Sequence, residues 1–499
     1  MMTAYRLAFL TLLIAFGACT TADAVAFLQV HGGPSYDPGQ GNGYLHPFGG
    51  LQATDSGIAI SSFVRYDAGV AESRRAMHWG PTTGPSELAY LSVDSQGAPY
   101  SEITAINSSG MMVGAANKFV DGVSQKIRAV RWDATGTEVT ELDFIAENIN
   151  PISHLGYATA INDSGLTVGW STKTGPTGSL GRRAVRWEPD GTAVTELGNL
   201  GTRDGSTRSE ALIVNDDGII AGYAEKYADG VAIGIRAIRW DTDSTEAVEL
   251  GDLGTDGRGF TESYVTDIND EGTIVGWARK VEGSSLRLAR GVRWEAGQTT
   301  ATELGTLSAQ STSARSFALS INDEGTSVGW STKHIGSASR GTRGVRWDAS
   351  TTTPTELGSL GTDSSGRTAS IAYQINSRGV AVGYAQKYES ENLVGDRAVA
   401  WGADASALDL NTLIDPNSGW TLERAFDISD SGWITGVGMF DPGGDQTAYE
   451  RAFLMRLPAT YIPEPAMGPI LALAAVAVCL AAWPRRAFAR VPTPQASGH

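Results

Sequence analysis

The sequence predicts an all-β protein, a β-propeller of eight four-stranded repeats of about 54 residues each. Two short phrases recur eight times at nearly one interval. Each interval holds four short runs of Val, Ile, Thr, Trp and Tyr, the residues that strands prefer. No segment of the body keeps a 3.6-residue apolar period, so almost no helix is expected. Seven blades with an irregular first copy is the alternative count.

The first recurring phrase reads INDSGLTVGW at Ile161–Trp170 and marks a turn between two strands. Asn and Asp close turns with their own side chains, and Gly accepts a positive φ, so the phrase predicts a hairpin turn. Its glycine returns every 53 to 55 residues, at Gly57, Gly110, Gly165, Gly218, Gly272, Gly325, Gly379 and Gly432.

The second phrase reads RAVRW, and a third, TELG, follows it in most copies. Period-2 alternation places Arg236, Ile238 and Trp240 on one face of a strand. We expect Arg236 to pair with Glu249 of the TELG phrase in a structural role, as a residue present in every copy usually serves the copy. Met455 holds the aromatic position in the last copy, and the other copies have Trp79, Trp132, Trp187, Trp240, Trp294, Trp347 and Trp401.

Ring closure follows from where the repeats begin and end. In one full copy the predicted strands are Ser209–Val214, Ile219–Tyr223, Ala232–Trp240 and Ala247–Leu250. The last copy stops after Arg451–Arg456 and lacks its fourth strand. The segment Phe27–Gly33 loosely matches the missing phrase and is predicted to complete the last blade, with Tyr44–Gly50 as the rival segment.

Composition excludes several classes of function. The 499 residues carry 38 Lys and Arg against 55 Asp and Glu, a net charge of −17. An acidic chain argues against nucleic acid as the main partner and against electrostatic docking on anionic lipid. The two cysteines, Cys19 and Cys479, lie in the terminal segments, so the body offers no disulfide and no Cys-ligated metal. Lipidation of Cys19 stays open.

Residues 1–24 are predicted to be a secretory signal peptide. Arg6 supplies the positive start and Leu7–Phe16 the apolar core. Small residues precede the expected cleavage site between Ala24 and Val25. The body, residues 25–460, is therefore expected outside the cytoplasm.

The C-terminal segment, residues 461–499, is predicted to hold a single transmembrane helix over residues 466–483. Eighteen helical residues span roughly 27 Å, which suffices for a hydrocarbon core of about 30 Å. The positive-inside rule places the end of the chain in the cytoplasm. The motif Pro463-Glu464-Pro465 precedes the helix, and the basic residues after it are Arg485, Arg486 and Arg490.

This arrangement of a Pro-Glu-Pro motif, a short span and a basic end resembles the PEP-CTERM sorting signal of Gram-negative bacteria over residues 463–490. The resemblance implies recognition by an exosortase, a membrane-embedded enzyme, and removal of the span. A plain single-span anchor is the alternative. Whether the span is removed stays open.

The repeat phrases resemble the extracellular HAF repeats of bacteria over residues 50–457. The matching residues include Ile268–Gly276 and Glu249–Gly254. The chain departs from that family by reading Arg-Ala-Val-Arg-Trp in place of His-Ala-Phe, and Arg451–Phe453 most nearly matches the triplet. The resemblance implies the fold and an extracellular location, and it carries no known chemistry.

Two functional interpretations of the turns compete with the structural one. Asp267–Gly272 begins like an EF-hand calcium loop, but Ala278 stands where the twelfth-position Glu belongs. Calcium binding in the Asn-Asp turns therefore stays open, with a structural turn favoured. One copy also matches part of the Asp-box of sialidase-like propellers, at Asp163, Gly165 and Thr167. Asp-boxes are structural turns.

No catalytic, cofactor-binding or metal-ligating residue can be named from the sequence, and no cofactor is expected. The segments predicted to join the second and third strands vary between copies and are candidate surfaces for a glycan or protein ligand. They are Lys173–Arg182, Lys226–Gly234, Lys280–Arg287, Lys333–Arg340 and Lys387–Gly395.

The favoured interpretation is a secreted or cell-surface, non-enzymatic binding or structural module. The alternative is a polysaccharide hydrolase or lyase. An enzyme is expected to bring several non-repeat Asp, Glu, His or Tyr residues together at a central pocket.

Overall fold

Eight antiparallel sheets form the described part of the chain, which confirms the eight-bladed β-propeller. The computed structural model describes residues 28–37, 42–145, 155–176, 178–282 and 285–461. Seven sheets have four strands and one has five. Within these residues the helices are two short 3₁₀ segments, Leu410–Leu413 and Ala459–Tyr461.

The four strands of each blade are called a, b, c and d in chain order, with strand a innermost. Blade 1 contains the extra strand β2 (Tyr36–Asp37), followed by strands a to d, β3 (Asn42–Ala53), β4 (Ala59–Asp67), β5 (Val70–Trp79) and β6 (Ser86–Glu87). Blade 2 contains β7 (Ser101–Ile106), β8 (Met112–Val120), β9 (Val123–Trp132) and β10 (Val139–Glu141), and blade 3 contains β11 (Gly156–Ile161), β12 (Thr167–Gly175), β13 (Gly178–Trp187) and β14 (Val194–Glu196). Blade 4 contains β15 (Ser209–Val214), β16 (Ile220–Ala228), β17 (Val231–Trp240) and β18 (Val248–Glu249).

Blades 5 to 8 follow with the same order of strands. Blade 5 contains β19 (Ser263–Ile268), β20 (Ile274–Glu282), β21 (Ser285–Trp294) and β22 (Thr302–Glu303), and blade 6 contains β23 (Ser316–Ile321), β24 (Ser327–Ile335), β25 (Ala338–Trp347) and β26 (Thr355–Glu356). Blade 7 contains β27 (Ser370–Ile375), β28 (Ala381–Glu389), β29 (Asn392–Trp401) and β30 (Ala407–Asp409). Blade 8 contains β31 (Trp420–Ile428), β32 (Trp433–Phe440) and β33 (Tyr449–Arg456), and β1 (His31–Gly32) is its strand d.

The N-terminal strand closes the ring. β1 pairs antiparallel with β33, with His31 opposite Leu454 and Gly32 opposite Phe453. The predicted closure by the first strand is therefore confirmed. The rival segment, Tyr44–Gly50, lies instead in β3 and pairs with β4 of blade 1.

The b–c connections are shorter than the sequence predicted. In blade 4, β16 continues to Ala228 and β17 begins at Val231, so only Asp229 and Gly230 form the turn. The predicted loop over Lys226–Gly234 is therefore wrong. The charged and polar residues that suggested a loop lie in strands b and c, where they occupy the alternate positions that face solvent. Lys333–Arg340 and Lys387–Gly395 are corrected in the same way.

The hydrophobic core lies between neighbouring blades. One cluster packs Val168 and Ala184 of blade 3 against Ile220, Ile238 and Trp240 of blade 4. The indole of each recurring Trp is buried. The Nε1 of Trp79 has no hydrogen-bond partner among the described residues. In the other six copies Nε1 donates a hydrogen bond to a carbonyl of the preceding blade. These pairs are Trp132–Ala89, Trp187–Asp143, Trp240–Gly198, Trp294–Gly251, Trp347–Gly305 and Trp401–Gly358, at 2.6–3.1 Å.

In five blades the recurring arginine donates hydrogen bonds to the connection that leads to the following blade. Arg236 is 1% exposed, and its Nε lies 3.3 Å from Oε1 of Glu249. Its Nη1 donates to the carbonyl of Thr261 at 2.6 Å and its Nη2 to that of Gly259 at 3.1 Å, in the segment that leads to blade 5. Lys226 forms a second ion pair with Glu249, with its Nζ 2.6 Å from Oε2. The Arg–Glu pair recurs at Arg128–Glu141, Arg183–Glu196, Arg290–Glu303 and Arg343–Glu356.

The two terminal segments lie outside the described residues. These include the signal peptide with Ala24 and Val25, and the sorting segment with Pro463, Glu464, Pro465, the span 466–483, Arg485 and Arg486. Among the residues that are described, no helix has the length and apolarity to cross a membrane.

Replacing Arg236 by Ala is expected to destabilise the ring. The change removes the hydrogen bonds to two carbonyls and leaves Glu249 without its buried partner, at a cost of about 2–3 kcal/mol. The measurement is the thermal unfolding midpoint. Arg258, 89% exposed in the same connection, is the matched control for Arg→Ala. Equal midpoints for wild type, Arg236→Ala and the control would contradict the structural role.

Candidate functional site

The a–b turns of the blades gather at one end of the central channel, where they line a cavity of about 450 Å³. Successive strands a contact one another around this axis. The cavity, called here the channel mouth, is lined by the last residues of strand a and the first of the turn in six blades. These are residues 52–55, 106–108, 267–270, 321–323, 374–377 and 427–430.

In blades 2 to 7 the turn begins with an Asn that joins two blades through one carboxamide, whereas blades 1 and 8 have Thr54 and Ser429 at this position. Asn215 accepts a hydrogen bond at Oδ1 from the N–H of Ile219, which closes its own turn at 2.8 Å. Its Nδ2 donates to the carbonyl of Asn269 in the next blade at 3.0 Å. The same donation joins Asn107 to Asn162, Asn162 to Asn215, Asn269 to Asn322, Asn322 to Asn376, and Asn376 to Ser429.

The recurring glycine allows this turn. Gly218 has φ +81°, a left-handed conformation that other residues adopt only at a cost. The eight turn glycines named from the sequence share it, with φ between +76° and +89°: Gly57, Gly110, Gly165, Gly218, Gly272, Gly325, Gly379 and Gly432.

The aspartates beside the Asn residues also hold neighbouring blades together. The N–H of Asp163 donates to Oδ1 of Asp216 at 2.9 Å, and the N–H of Asp216 to Oδ1 of Asp270 at 3.1 Å. At the closure, the N–H of Ser431 donates to Oδ1 of Asp55 at 2.7 Å. Within the described residues, no group of three or more His, Cys, Asp or Glu side chains is arranged to hold a metal.

One position breaks the eightfold repetition of the channel mouth. It lies two residues before the turn Asn, or before Thr54 in blade 1 and Ser429 in blade 8, and is apolar in blades 2, 3 and 4 but polar in blades 5 to 8 and blade 1. The residues from blade 1 to blade 8 are Gln52, Ala105, Ala160, Ile213, Asp267, Ser320, Gln374 and Asp427. Because blades 5 to 8 and 1 are consecutive around the ring, the channel has a polar arc and an apolar arc.

Most side chains of the polar arc accept a backbone N–H of the next blade. Ile321 donates to Oδ2 of Asp267 at 3.0 Å, and Ala53 to Oδ2 of Asp427 at 2.8 Å. The N–H of Ile106 donates to Oε1 of Gln52 at 3.2 Å. A register shift in strand a directly precedes this position in blades 5 and 6.

Two carboxyl groups of the polar arc have pKa values near neutrality. Burial raises the pKa of Asp267 to about 6, although two backbone N–H groups and Ser320 oppose the shift. Burial likewise raises the pKa of Asp427 to about 6, and the charge of Asp267 adds to it. The two carboxyl groups therefore line one cavity, and burial raises the pKa of each. The sequence analysis considered Asp267 only as the first residue of a calcium-loop-like segment and did not identify Asp427, because burial of these two carboxyl groups cannot be read from the repeat pattern.

The other end of the inner strands carries a run of stacked rings across blades 4 to 6. Tyr264 stacks on Trp277 with centroids 4.7 Å apart, and Phe317 stacks on Trp330 at 4.5 Å. Trp277 and Phe317 join the two pairs at 5.5 Å. These aromatic rings contact one another within and between blades, so their role is in packing.

A second cavity, of about 490 Å³, lies beside the extra strand of blade 1. Tyr36, Tyr44 and Glu87 contribute to its lining. The hydroxyl of Tyr44 donates to Oε1 of Glu87, and burial together with this bond raises the pKa of Tyr44. Arg65 and Arg75 lie within 4 Å of the same carboxylate, so Glu87 is already compensated.

Replacing Asn215 by Asp is expected to weaken one blade boundary selectively. The carboxylate keeps the acceptor for Ile219 but has no N–H for the carbonyl of Asn269, at a cost of about 1–3 kcal/mol. Chemical denaturation measures the change, with Asn417→Asp in an exposed turn as the control. A stability as high as that of the control would contradict the inter-blade role of the carboxamide.

Replacing Asp267 by Asn is expected to stabilise the protein at neutral pH. A carboxyl whose pKa rises on folding favours the folded state most below about pH 4, and this contribution is lost as pH rises through about 6. The amide of Asn does not ionise, so the variant does not lose stability as pH rises. Its oxygen can still accept the N–H of Ile321, as the carboxamide oxygen of Gln52 accepts the N–H of Ile106. Unfolding midpoints at pH 4 and pH 7 should show a gain at pH 7 alone, equivalent to about 1–2 kcal/mol. A loss at pH 7 would contradict it.

Comparison with known proteins assigns no function to this chain. A family described as "Protein of unknown function (DUF3466)" matches residues 182–368. No curated protein matches the chain. Among solved structures, the β-propeller domain of the Trilobed protease from Pyrococcus furiosus is 9% identical, covering 75% of this chain and 96% of that one, with a TM-score of 0.38.

Two further structures are similar at the same low level. The polysaccharide lyase Uly1 is 8% identical over 70% of this chain and 88% of its own, with a TM-score of 0.34. The GH74 xyloglucanase from Xanthomonas campestris is 10% identical over 89% of this chain and 69% of its own, also with a TM-score of 0.34. Similarities of this size assign no activity to this chain.

Proposed function

We propose that this protein is a secreted or cell-surface propeller that acts as a non-enzymatic binding or structural module of the envelope or extracellular matrix. One observation carries the proposal: the channel mouth is lined by a single set of repeat positions. Most of its Asn and Asp groups are engaged in bonds between blades. A catalytic site would instead be expected to combine unrelated residue positions.

Export and sorting belong to the same proposal. The signal peptide directs the chain out of the cytoplasm, and the C-terminal helix anchors it until an exosortase acts at Pro463-Glu464-Pro465. The last strand ends at Arg456, seven residues before that motif. Processing after the last blade would leave every strand of the ring in the released product.

The sorting proposal is tested by replacing Pro463, Glu464 and Pro465 with Ala in a host that contains an exosortase. The variant is expected to keep its C-terminal segment, which an epitope tag after His499 detects. Processing identical to that of the wild type would refute sorting through this motif.

Ligand binding is tested with residues 25–460, a segment that contains every strand of the closed ring. A glycan array and a panel of envelope proteins are the probes. The proposal predicts saturable binding without any change in the bound glycan. Absence of binding to both panels would leave only the structural role.

One specific observation favours the second candidate, a polysaccharide hydrolase or lyase. Asp267 and Asp427 share the channel mouth with pKa values of about 6, a range suited to general acid–base chemistry. The test is the release of reducing ends or unsaturated products from polysaccharides. Product that disappears in Asp267→Asn or Asp427→Asn, but not in the exposed control Asp445→Asn, would establish the enzyme and overturn the binding proposal.

A further inference from the structure

A third cavity, of about 320 Å³, lies between blades 1, 2 and 3. It is near the start of the strands a, away from the channel mouth, since Glu102 and Tyr157 are the second residues of β7 and β11. This cavity is called the inter-blade cavity. Its lining includes Gly50, Ser62 and Arg74 of blade 1, Glu102 and Thr104 of blade 2, and Tyr157 of blade 3.

Blade 1 has a glycine where the other blades have a larger residue. Counted back five residues from Thr54, its strand a has Gly49. The residues at the same place in blades 2 to 8 are Glu102, Tyr157, Glu210, Tyr264, Phe317, Ile371 and Arg424. Two register shifts between β3 and β4 accompany this difference. The inter-blade cavity therefore lies where blade 1 departs from the repeat.

Three donors from three blades hold the carboxylate of Glu102. The hydroxyl of Tyr100 donates to Oε1 at 2.7 Å and that of Tyr157 to Oε2 at 2.9 Å, and Nη1 of Arg74 also donates to Oε1. Burial, together with the charge and the hydrogen bond of Glu102, raises the pKa of both tyrosines, so both hydroxyls stay protonated. The carboxylate is therefore fixed in the lining of the cavity before a ligand binds.

The ring does not require a charged pair at a blade boundary. Arg74 directly precedes the recurring arginine, and at the boundary of blades 5 and 6 the residues that correspond to Arg74 and Glu102 are Ala289 and Phe317. Blades 3 and 4 have an equivalent pair, in which Nη1 of Arg182 lies 2.7 Å from Oε1 of Glu210. At that boundary the preceding blade has Tyr where blade 1 has Gly. The equivalent pair is therefore a matched reference for the pair in the cavity.

The groups of the inter-blade cavity match a neutral sugar. One guanidinium and one carboxylate balance in charge, so neither an anion nor a cation gains a net attraction. Glu102 can accept hydrogen bonds from hydroxyl groups, and Arg74, with 38% of its side chain exposed, can donate to them. The ring of Tyr157 offers an apolar face for C–H groups, and parallel stacking on Trp170 at 5.9 Å holds this ring. The volume of about 320 Å³ lies at the small end of ligand pockets, which measure about 300–1,000 Å³, and suits one sugar unit.

We infer that the inter-blade cavity binds one neutral sugar unit of a glycan, with Glu102 and Arg74 on its hydroxyl groups and Tyr157 against its C–H face. The inference rests on the binding function proposed above and gives that function a site and a ligand class. Glu102 is the one carboxyl group among the described residues that line the cavity, and glycoside hydrolysis uses two. The site therefore holds the sugar without cleaving it.

The experiment measures calorimetric binding of residues 25–460 to neutral oligosaccharides of glucose, galactose, mannose and N-acetylglucosamine. An oligosaccharide of glucuronic acid is the charged probe. The variants are Glu102→Gln and Arg74→Gln. Glu210→Gln and Arg182→Gln are the matched controls, because they remove the same charges from the equivalent pair. Unfolding midpoints confirm that each variant is folded.

The inference predicts saturable binding to at least one neutral oligosaccharide, weakened about tenfold or more in both variants and unchanged in both controls. Glycan binding that both variants retain would overturn the cavity as the site and leave the binding function proposed above intact. Preference for the glucuronic acid probe, or no binding to any neutral probe, would overturn the neutral sugar as the ligand. Cleavage that is lost in Asp267→Asn, together with binding that is lost in Glu102→Gln, would overturn the non-enzymatic proposal and still support this inference.

Discussion

Hydrogen bonding across the blade boundaries is the constraint on which the rest of the structure depends. A blade of about 54 residues buries too little apolar surface to be stable alone, so each must be held by its neighbours. Asn215 and Arg236 reach forward to the next blade, while Trp240 reaches back to the preceding one. The residues that recur in the sequence are therefore those that make these contacts.

This constraint explains how much could be predicted from the sequence. The count of blades, the turns at Gly218 and its equivalents, and the pairing of Arg236 with Glu249 follow from repetition and alternation. Ring closure by the first strand follows from the missing fourth strand of the last copy. The b–c hairpins were predicted as loops because their exposed positions are polar. The effect of burial on Asp267 could not be read from a sequence in which the same position is Ala or Ile in other blades.

The departures from symmetry are where ligand recognition can arise. A ring of identical blades would present the same groups eight times, which suits stability rather than selectivity. The polar arc from Asp267 to Gln52 makes one side of the channel mouth different from the other.

The central claim is that contacts between blades, closed by β1 on β33, hold the ring together. Deleting residues 28–33 from the segment 25–460 tests it most directly, with the thermal unfolding midpoint as the readout. The account predicts a fall of at least several degrees and recovery when a peptide of residues 25–34 is added. An unchanged midpoint, or a fall that the peptide does not reverse, would contradict it.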